Sequence, residues 1–194
     1  MARPREFDRD EVLEKAMQVF WARGYERTTV QTLVDAMGIN RGSLYDTFGD
    51  KDALYQAALE HYCAHQAGRT LARMEAGADS PKGAIAGYLH SVAEAAAGAG
   101  RRGCFISNTI AEFGPTNGAI AATARAGVAR TESAFLRLIE LAQDAGEIGR
   151  DRDARALARY LTSSLNGLRM MARAGADRSA LDDILSVILA TLDR

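Results

Sequence analysis

GYERTTVQTLVDAMGINRGSLYDTFGDKDAL, residues 24–54, decides the fold. Thr29 stands where a helix N-cap belongs, and Val30, Leu33, Val34 and Met37 recur behind it at helical spacing. Gly38 follows the last apolar residue, where a left-handed backbone ends a helix at no steric cost. Ile39 packs the turn and Asn40 caps a further helix, Arg41 to Thr47, which has room for about two turns before Gly49. Two short helices joined by a tight turn containing glycine are the helix-turn-helix signature.

Upstream, Asp8 is placed to cap a first helix, with Glu11 closing a capping box and Phe7 stapling against Val12. Its apolar face runs Leu13, Ala16, Met17, Phe20 until Gly24 stops it. Downstream, Asp50 caps a fourth helix running from Lys51 towards Met74. Ser80-Pro81 is a cap followed by an N1 proline, and Ile85, Tyr88, Leu89 and Val92 form the stripe of a fifth helix. A glycine-rich break at Gly98 to Gly103 precedes a short helix that begins near Cys104 and ends at Pro115. Asn117 is the expected cap of a long helix to about Ala145, with Val128, Phe135, Leu138, Ile139 and Ala142 inward. An eighth helix carries Leu157, Leu161, Leu165, Leu168 and Ala172. A ninth carries Leu181, Ile184, Leu185, Ile188, Leu189 and Leu192, with Val187 off the stripe. The apolar arc of that last helix is wide for a terminal element, which predicts burial against a partner.

Three prolines against abundant alanine, leucine and arginine favour helix throughout, so the expected class is all-α with about nine helices. Cys63 and Cys104 are too few for a disulfide framework. The start MARPREFDRD has no apolar signal core, and no apolar run approaches the ~20 residues that span a bilayer. The chain is therefore read as a cytoplasmic protein without membrane association.

A recognition helix offers its first turn to base edges while neighbouring helix ends grip phosphates. Arg41 stands in that first turn, suited to guanine O6 and N7, with Gly42 permitting close approach and Ser43 supplying a hydroxyl. Tyr45 lies one turn on, placed for a phosphate, while Leu44 and Phe48 anchor the opposite side. Gln31 beside the capping Thr29, and Lys51 at the start of the fourth helix, approach the same backbone. Residues 1–52 hold eight Arg or Lys against ten Asp or Glu, formally −2, which predicts modest non-specific affinity. Arg3 and Arg5 are read either as an arm reaching the DNA or as an unordered start.

These residues resemble the DNA-binding segment of TetR/AcrR-family regulators. The resemblance rests on the Gly24-Tyr25 pair, the Thr28-Thr29-Val30 start, the Ala36 to Ile39 turn and the Leu44-Tyr45 to Lys51 close, and covers about residues 8 to 60. It implies DNA contacts at Thr29, Gln31, Arg41, Gly42, Ser43, Tyr45, Thr47 and Lys51. Asp46-Thr47 departs from the histidine or tyrosine that many members place before the phenylalanine. It further implies a helix-turn-helix domain over 1–50 and a helical effector-binding and dimerisation domain over 51–194, with no cofactor. The stretch RGCFISNTIAEF, residues 102–113, is similar to a segment common in one subset of the family. By that analogy a ligand cavity lies among helices five to eight, with Tyr88, Cys104, Phe105, Asn108, Glu112, Phe135, Tyr160, Asn166 and Met170 as candidates. A two-fold interface is implied on helices eight and nine. The implied function is a homodimeric regulator, by family default a repressor, that binds a palindromic double-stranded operator and is released by a small-molecule effector.

Rival chemistries find little support in the residues. Gly98 to Gly103 spells G-x-G-x-x-G, but an alanine-rich helix rather than a strand precedes it. His61 and His65 share a helix face while Cys63 points away, so at most two metal ligands converge and a solvated face is expected. A helical-bundle enzyme would need Glu-x-x-His pairs, yet Ala58, Tyr62 and Gly87 stand three residues before the histidines. Cys104 and His90 lack a third orienting group. A helical interaction module without DNA binding is the remaining alternative. Cys104, just after Arg101 and Arg102 and in the first turn of its helix, reads either as a reactive thiolate or as a small apolar wall residue. Cys63 is expected to be exposed.

Overall fold

The structure is a computed structural model. It describes the backbone of residues 7–75, 79–97, 102–114 and 118–193, with side chains described at these positions except 66–75 and 96–97. Arg3, Arg5, residues 98–101, Pro115 and Asn117 lie outside the described residues. Among the described residues there are nine helices and no strand: α1 (Arg9–Arg23), α2 (Val30–Met37), α3 (Arg41–Phe48), α4 (Lys51–Glu75), α5 (Pro81–Ala97), α6 (Phe105–Phe113), α7 (Ala119–Asp144), α8 (Ala154–Arg173) and α9 (Arg178–Ala190).

Local chemistry starts and stops the first four helices. Asp8 caps α1 through the N–H groups of Asp10 and Glu11, Thr29 caps α2 through Thr32, and Asn40 caps α3 through Ser43. Glu11 does not reach back to complete a capping box; its carboxylate pairs with Lys15 at 2.6 Å instead. Gly38 ends α2 at φ 71°, ψ 28°, the left-handed conformation the sequence requires there. Asp50 accepts from the Ala53 N–H, and Ser80 caps α5 through Gly83. For α7, Gly118 occupies the N-cap position with no side-chain cap.

Two apolar cores form. The first gathers Val12, Leu13, Met17, Phe20, Leu33, Met37, Leu44 and Phe48 from α1 to α3. It continues past residue 50 into Leu54, Tyr55, Leu59, Tyr62 and Cys63 of α4, and takes in Phe105 of α6 and Ala124 of α7. The second joins Ile85 and Leu89 of α5, Phe135, Leu138 and Ile139 of α7, the leucine stripe of α8, and Leu181, Leu185, Ile188 and Leu192 around α9. Cys63 is buried at 3% exposure, contrary to the expectation of an exposed thiol, because α7 and α6 cover that side of α4. No helix among the described residues is long and apolar enough to cross a membrane.

Candidate functional site

One outward face of the first domain is polar and assembled from three helix ends. Arg41 and Gly42 are exposed in the first turn of α3, and the Arg41 guanidinium donates to Gln31 Oε1 across the turn at 3.0 Å. Gln31 in turn donates to Asp35 at 2.8 Å, so both long side chains are held rather than free. Tyr45 leaves 48% of its surface open, unusual for an aromatic in so small a domain and suited to a phosphate contact. Thr29 is exposed, whereas Ser43 and Thr47 are half-buried. Lys51, at the N-terminus of α4, sits over the Tyr25 ring with Nζ 3.9 Å from its centroid. The Tyr25 hydroxyl donates to Asp52, and burial followed by that carboxylate raises its pKa, so it remains a donor. The eight DNA-facing candidates therefore come from α2, α3 and the start of α4.

A second site is a cavity of about 70 Å³, partly open to solvent, walled by α4 to α8. That is several times the ~10–15 Å³ one water takes by the same measure. Tyr62, Cys63, Tyr88, Cys104, Ile106 and Gly127 line it together with Val128, Arg130, Thr131, Ala134, Thr162, Asn166 and Arg169. Arg169 donates to the Tyr88 hydroxyl at 3.2 Å, and Tyr62 Oη lies 4.0 Å from Cys104 Sγ. Burial opposes the charge on Arg169, but Cys104, Tyr88 and Tyr62 around it more than offset this and raise its pKa. Burial likewise raises Tyr62 and Cys63, the latter against the pull of the nearby Arg130 charge.

Of the nine cavity candidates, Tyr88, Cys104 and Asn166 line this space. Phe105 lies behind the wall in the first core, and Phe135 packs beside Tyr88 with ring centroids 6.2 Å apart. Asn108 spans the bend before α6, donating to the Arg102 carbonyl and accepting from Arg173. Glu112 faces the first domain. Tyr160 and Met170 are not brought to the cavity; they line an open apolar groove between α8 and α9 with Gly167, Met171, Ile184 and Val187. The reason is angular. At about 100° per residue, Thr162, Asn166 and Arg169 share one face of α8, while Tyr160, Gly167 and Met171 lie about 140–180° around from Thr162. Met170 falls between the two faces and is 68% exposed. Arg130 and Arg169 escaped the sequence reading because arginine on a helix reads as solvent-facing. The signal available was that Arg169 falls on the face of Thr162 and Asn166.

The segment 102–113 ties cavity to reader. Trp21 of α1 donates its indole N–H to the Gly103 carbonyl at 3.2 Å, beneath the Arg102 guanidinium, which also donates to Gln18. Tyr55 and Thr109 share a buried hydrogen bond of 2.8 Å, and Glu112 accepts from the Tyr25 N–H at 2.6 Å. Elsewhere on α4, His61 meets Glu14 at 3.0 Å and His65 donates to the His61 carbonyl. Among the described residues no three metal-ligating side chains converge.

Comparison with known proteins agrees with this arrangement. Residues 12–58 match the family model for bacterial regulatory proteins of the tetR family, and residues 83–188 match the tetracyclin repressor-like C-terminal domain. The chain is 36% identical over its full length to the uncharacterized HTH-type transcriptional regulator YezE of Bacillus subtilis, which it covers completely. It is 33% identical to the HTH-type transcriptional repressor ComR of Escherichia coli, over 96% of this chain and 90% of ComR. Among solved structures, a cysteine mutant of the TetR-family regulator CifR bound to a 26-base-pair operator duplex superposes with a TM-score of 0.86. That match has 29% identity and covers 98% of this chain and 100% of that one. With a helix-turn-helix reader, an all-helical second domain and matches along nearly its whole length, the chain belongs to the TetR family of bacterial transcriptional regulators.

Proposed function

We propose that this protein is a cytoplasmic homodimeric repressor that holds a palindromic operator until a small molecule enters the α4–α8 cavity. Residues 1–50 read DNA, and residues 51–194 bind the effector and dimerise, with α4 connecting the two. Arg41 reads a base edge, aided by Gly42, Ser43 and Gln31, while Thr29, Tyr45, Thr47 and Lys51 hold the backbone. Tyr88, Cys104 and Asn166 contact the effector, joined by Tyr62 and Arg169. The α8–α9 groove is the two-fold interface: nothing lies within 4 Å of where a Cβ would stand on Gly167, so a second backbone can approach closely there.

The observation that carries this reading is the seat of α6. Its first residues wall the cavity through Cys104 and Ile106, and its flanks bond to α1, to the α1–α2 turn and to α4. A ligand that displaces α6 pulls on the reader directly, which changes the spacing of the two recognition helices in a dimer. Footprinting on the DNA flanking the protein's own gene tests it. A protected palindrome, bound by a dimer and weakening with salt, supports the proposal. Salt-independent binding, or a monomer in sedimentation at micromolar concentration, overturns it.

A further inference from the structure

Two guanidinium groups, Arg130 of α7 and Arg169 of α8, line the cavity, and among the described residues no Asp or Glu does. What each meets is a neutral-type group. Arg169 donates to the Tyr88 hydroxyl, and Arg130 lies near the Cys63 thiol, which burial keeps protonated. Arg130 keeps an exposed side while Arg169 is the more withdrawn of the two; holding a guanidinium away from water without a counter-ion is costly, and proteins elsewhere meet that cost with a paired carboxylate. Here the missing partner is an anion, and space stands where it would sit.

The rest of the lining sets its size and shape. Ile106, Val128 and Ala134 give the cavity an apolar side, so a fully hydrated, multiply charged ion is poorly matched. Gly127 lets the cavity wall close up tightly: a Cβ there would lie 2.7 Å from Ile106 Cδ1 and 3.3 Å from Cys63 Sγ, so both side chains pack against the bare α7 backbone. A guanidinium presents a planar fork that fits the two oxygens of a carboxylate.

We propose that the cavity binds a short-chain carboxylate, its oxygens held by Arg169 and Arg130 and its hydrocarbon end against Ile106, Val128 and Ala134. The proposal rests on the effector reading above. The Tyr62 hydroxyl adds a donor, since burial keeps it protonated. Tyr62 also carries the signal outward, because its ring meets Trp21 edge-on at 5.2 Å between centroids. Trp21 is the single tryptophan of the chain, so its emission reports on the cavity wall.

Titrating the full-length protein with acetate, propionate and butyrate, and with primary alcohols and alkylamines of the same chain lengths, tests this. The readouts are Trp21 emission and the unfolding midpoint. Saturable carboxylate binding is expected, with alcohols and amines weaker by about tenfold or more, the discrimination of a charge-assisted pair. Arg169→Gln should lose about tenfold or more in carboxylate affinity, and Arg169→Lys less, because the charge survives without the fork. Circular dichroism checks the fold, and Arg130→Gln serves if Arg169→Gln does not fold. Alcohols or amines binding as tightly as carboxylates, carboxylates binding both variants like the parent, or no saturable binding would each overturn the proposal. Alcohols that bind and release operator DNA would overturn the carboxylate and leave the effector reading standing. Carboxylates that bind through Arg169 yet leave operator affinity unchanged would support the carboxylate and overturn the effector reading.

Discussion

The Glu112 carboxylate of α6 accepts the backbone N–H of Tyr25 at 2.6 Å, and its other oxygen lies where a Cβ would stand on Gly24. Gly24 has φ 80°, so glycine is needed there both for the backbone and for this approach. The turn into the helix-turn-helix motif is thus held by a side chain from the second domain.

Glu112→Ala removes that hold. The expected cost is about 1 kcal/mol, below the ~1.5–3 kcal/mol of a bond to a charged group because the carboxylate is exposed. Operator affinity should shift several-fold, because the turn carries Tyr25 and through it Lys51. Urea unfolding and operator titration of the same preparation check both effects, with Glu112→Gln, which keeps an acceptor, closer to the parent. Unchanged operator affinity in the alanine variant would mean that the contact does not set the reader's position.

Arg41 and Lys51 should fail differently. Arg41→Ala is expected to cost about 1–3 kcal/mol on the operator and to relax base preference at one position. Lys51→Ala should weaken all duplexes alike and reduce the salt slope by about one phosphate's worth. Binding to operator and mutated-operator duplexes over a salt series separates them. Equal losses on every sequence from both variants would remove the division of labour.

The reader was legible in the sequence because its determinants are local. Thr29, Asn40 and Gly38 fix helix ends within a few residues of themselves, and the structure uses all three as caps. The cavity was less legible because its walls depend on which faces of α4, α7 and α8 meet. Tyr160 and Met170 carry the aromatic and flexible character expected of a pocket, yet packing of the α8 leucine stripe turns them outward. Cys63 had a usable signal, since it lies about 40° around α4 from Leu59 and so on the buried arc. Its chemistry was read from the neighbouring histidines instead.

The outward face of α8 and α9 gives a direct test of assembly. Val187 is 63% exposed and Met171 45%, in a groove with Ile184 and Tyr160. Val187→Glu would put one unpaired carboxylate from each copy into the two-fold interface, at a cost of about 2 kcal/mol or more per copy. Sedimentation velocity at micromolar concentration should find a dimer for the parent and a monomer for the variant, with operator binding lost in parallel. A Val187→Glu dimer as tight as the parent's would place the interface elsewhere.

Cys63 predicts a pH dependence of stability with a definite sign. Burial is the largest influence on its thiol and raises its pKa in the folded chain, despite the opposing charge of Arg130. A group raised on folding binds its proton more tightly in the native state, so its contribution is fully present below the ordinary thiol value. That contribution is lost as pH climbs through the raised one. The parent should therefore lose stability between about pH 8.5, where unfolded thiols titrate, and the higher folded value. Cys63→Ala has no such thiol to titrate and should decline less over the same window, although it loses the sulfur's packing at every pH. Urea midpoints of both proteins at pH 7.5, 8.5 and 9.5 measure the difference, and iodoacetamide should label Cys63 slowly at pH 7.5. Parallel declines, or fast labelling of Cys63 at neutral pH, would show a thiol that reaches solvent and titrates like an unfolded one.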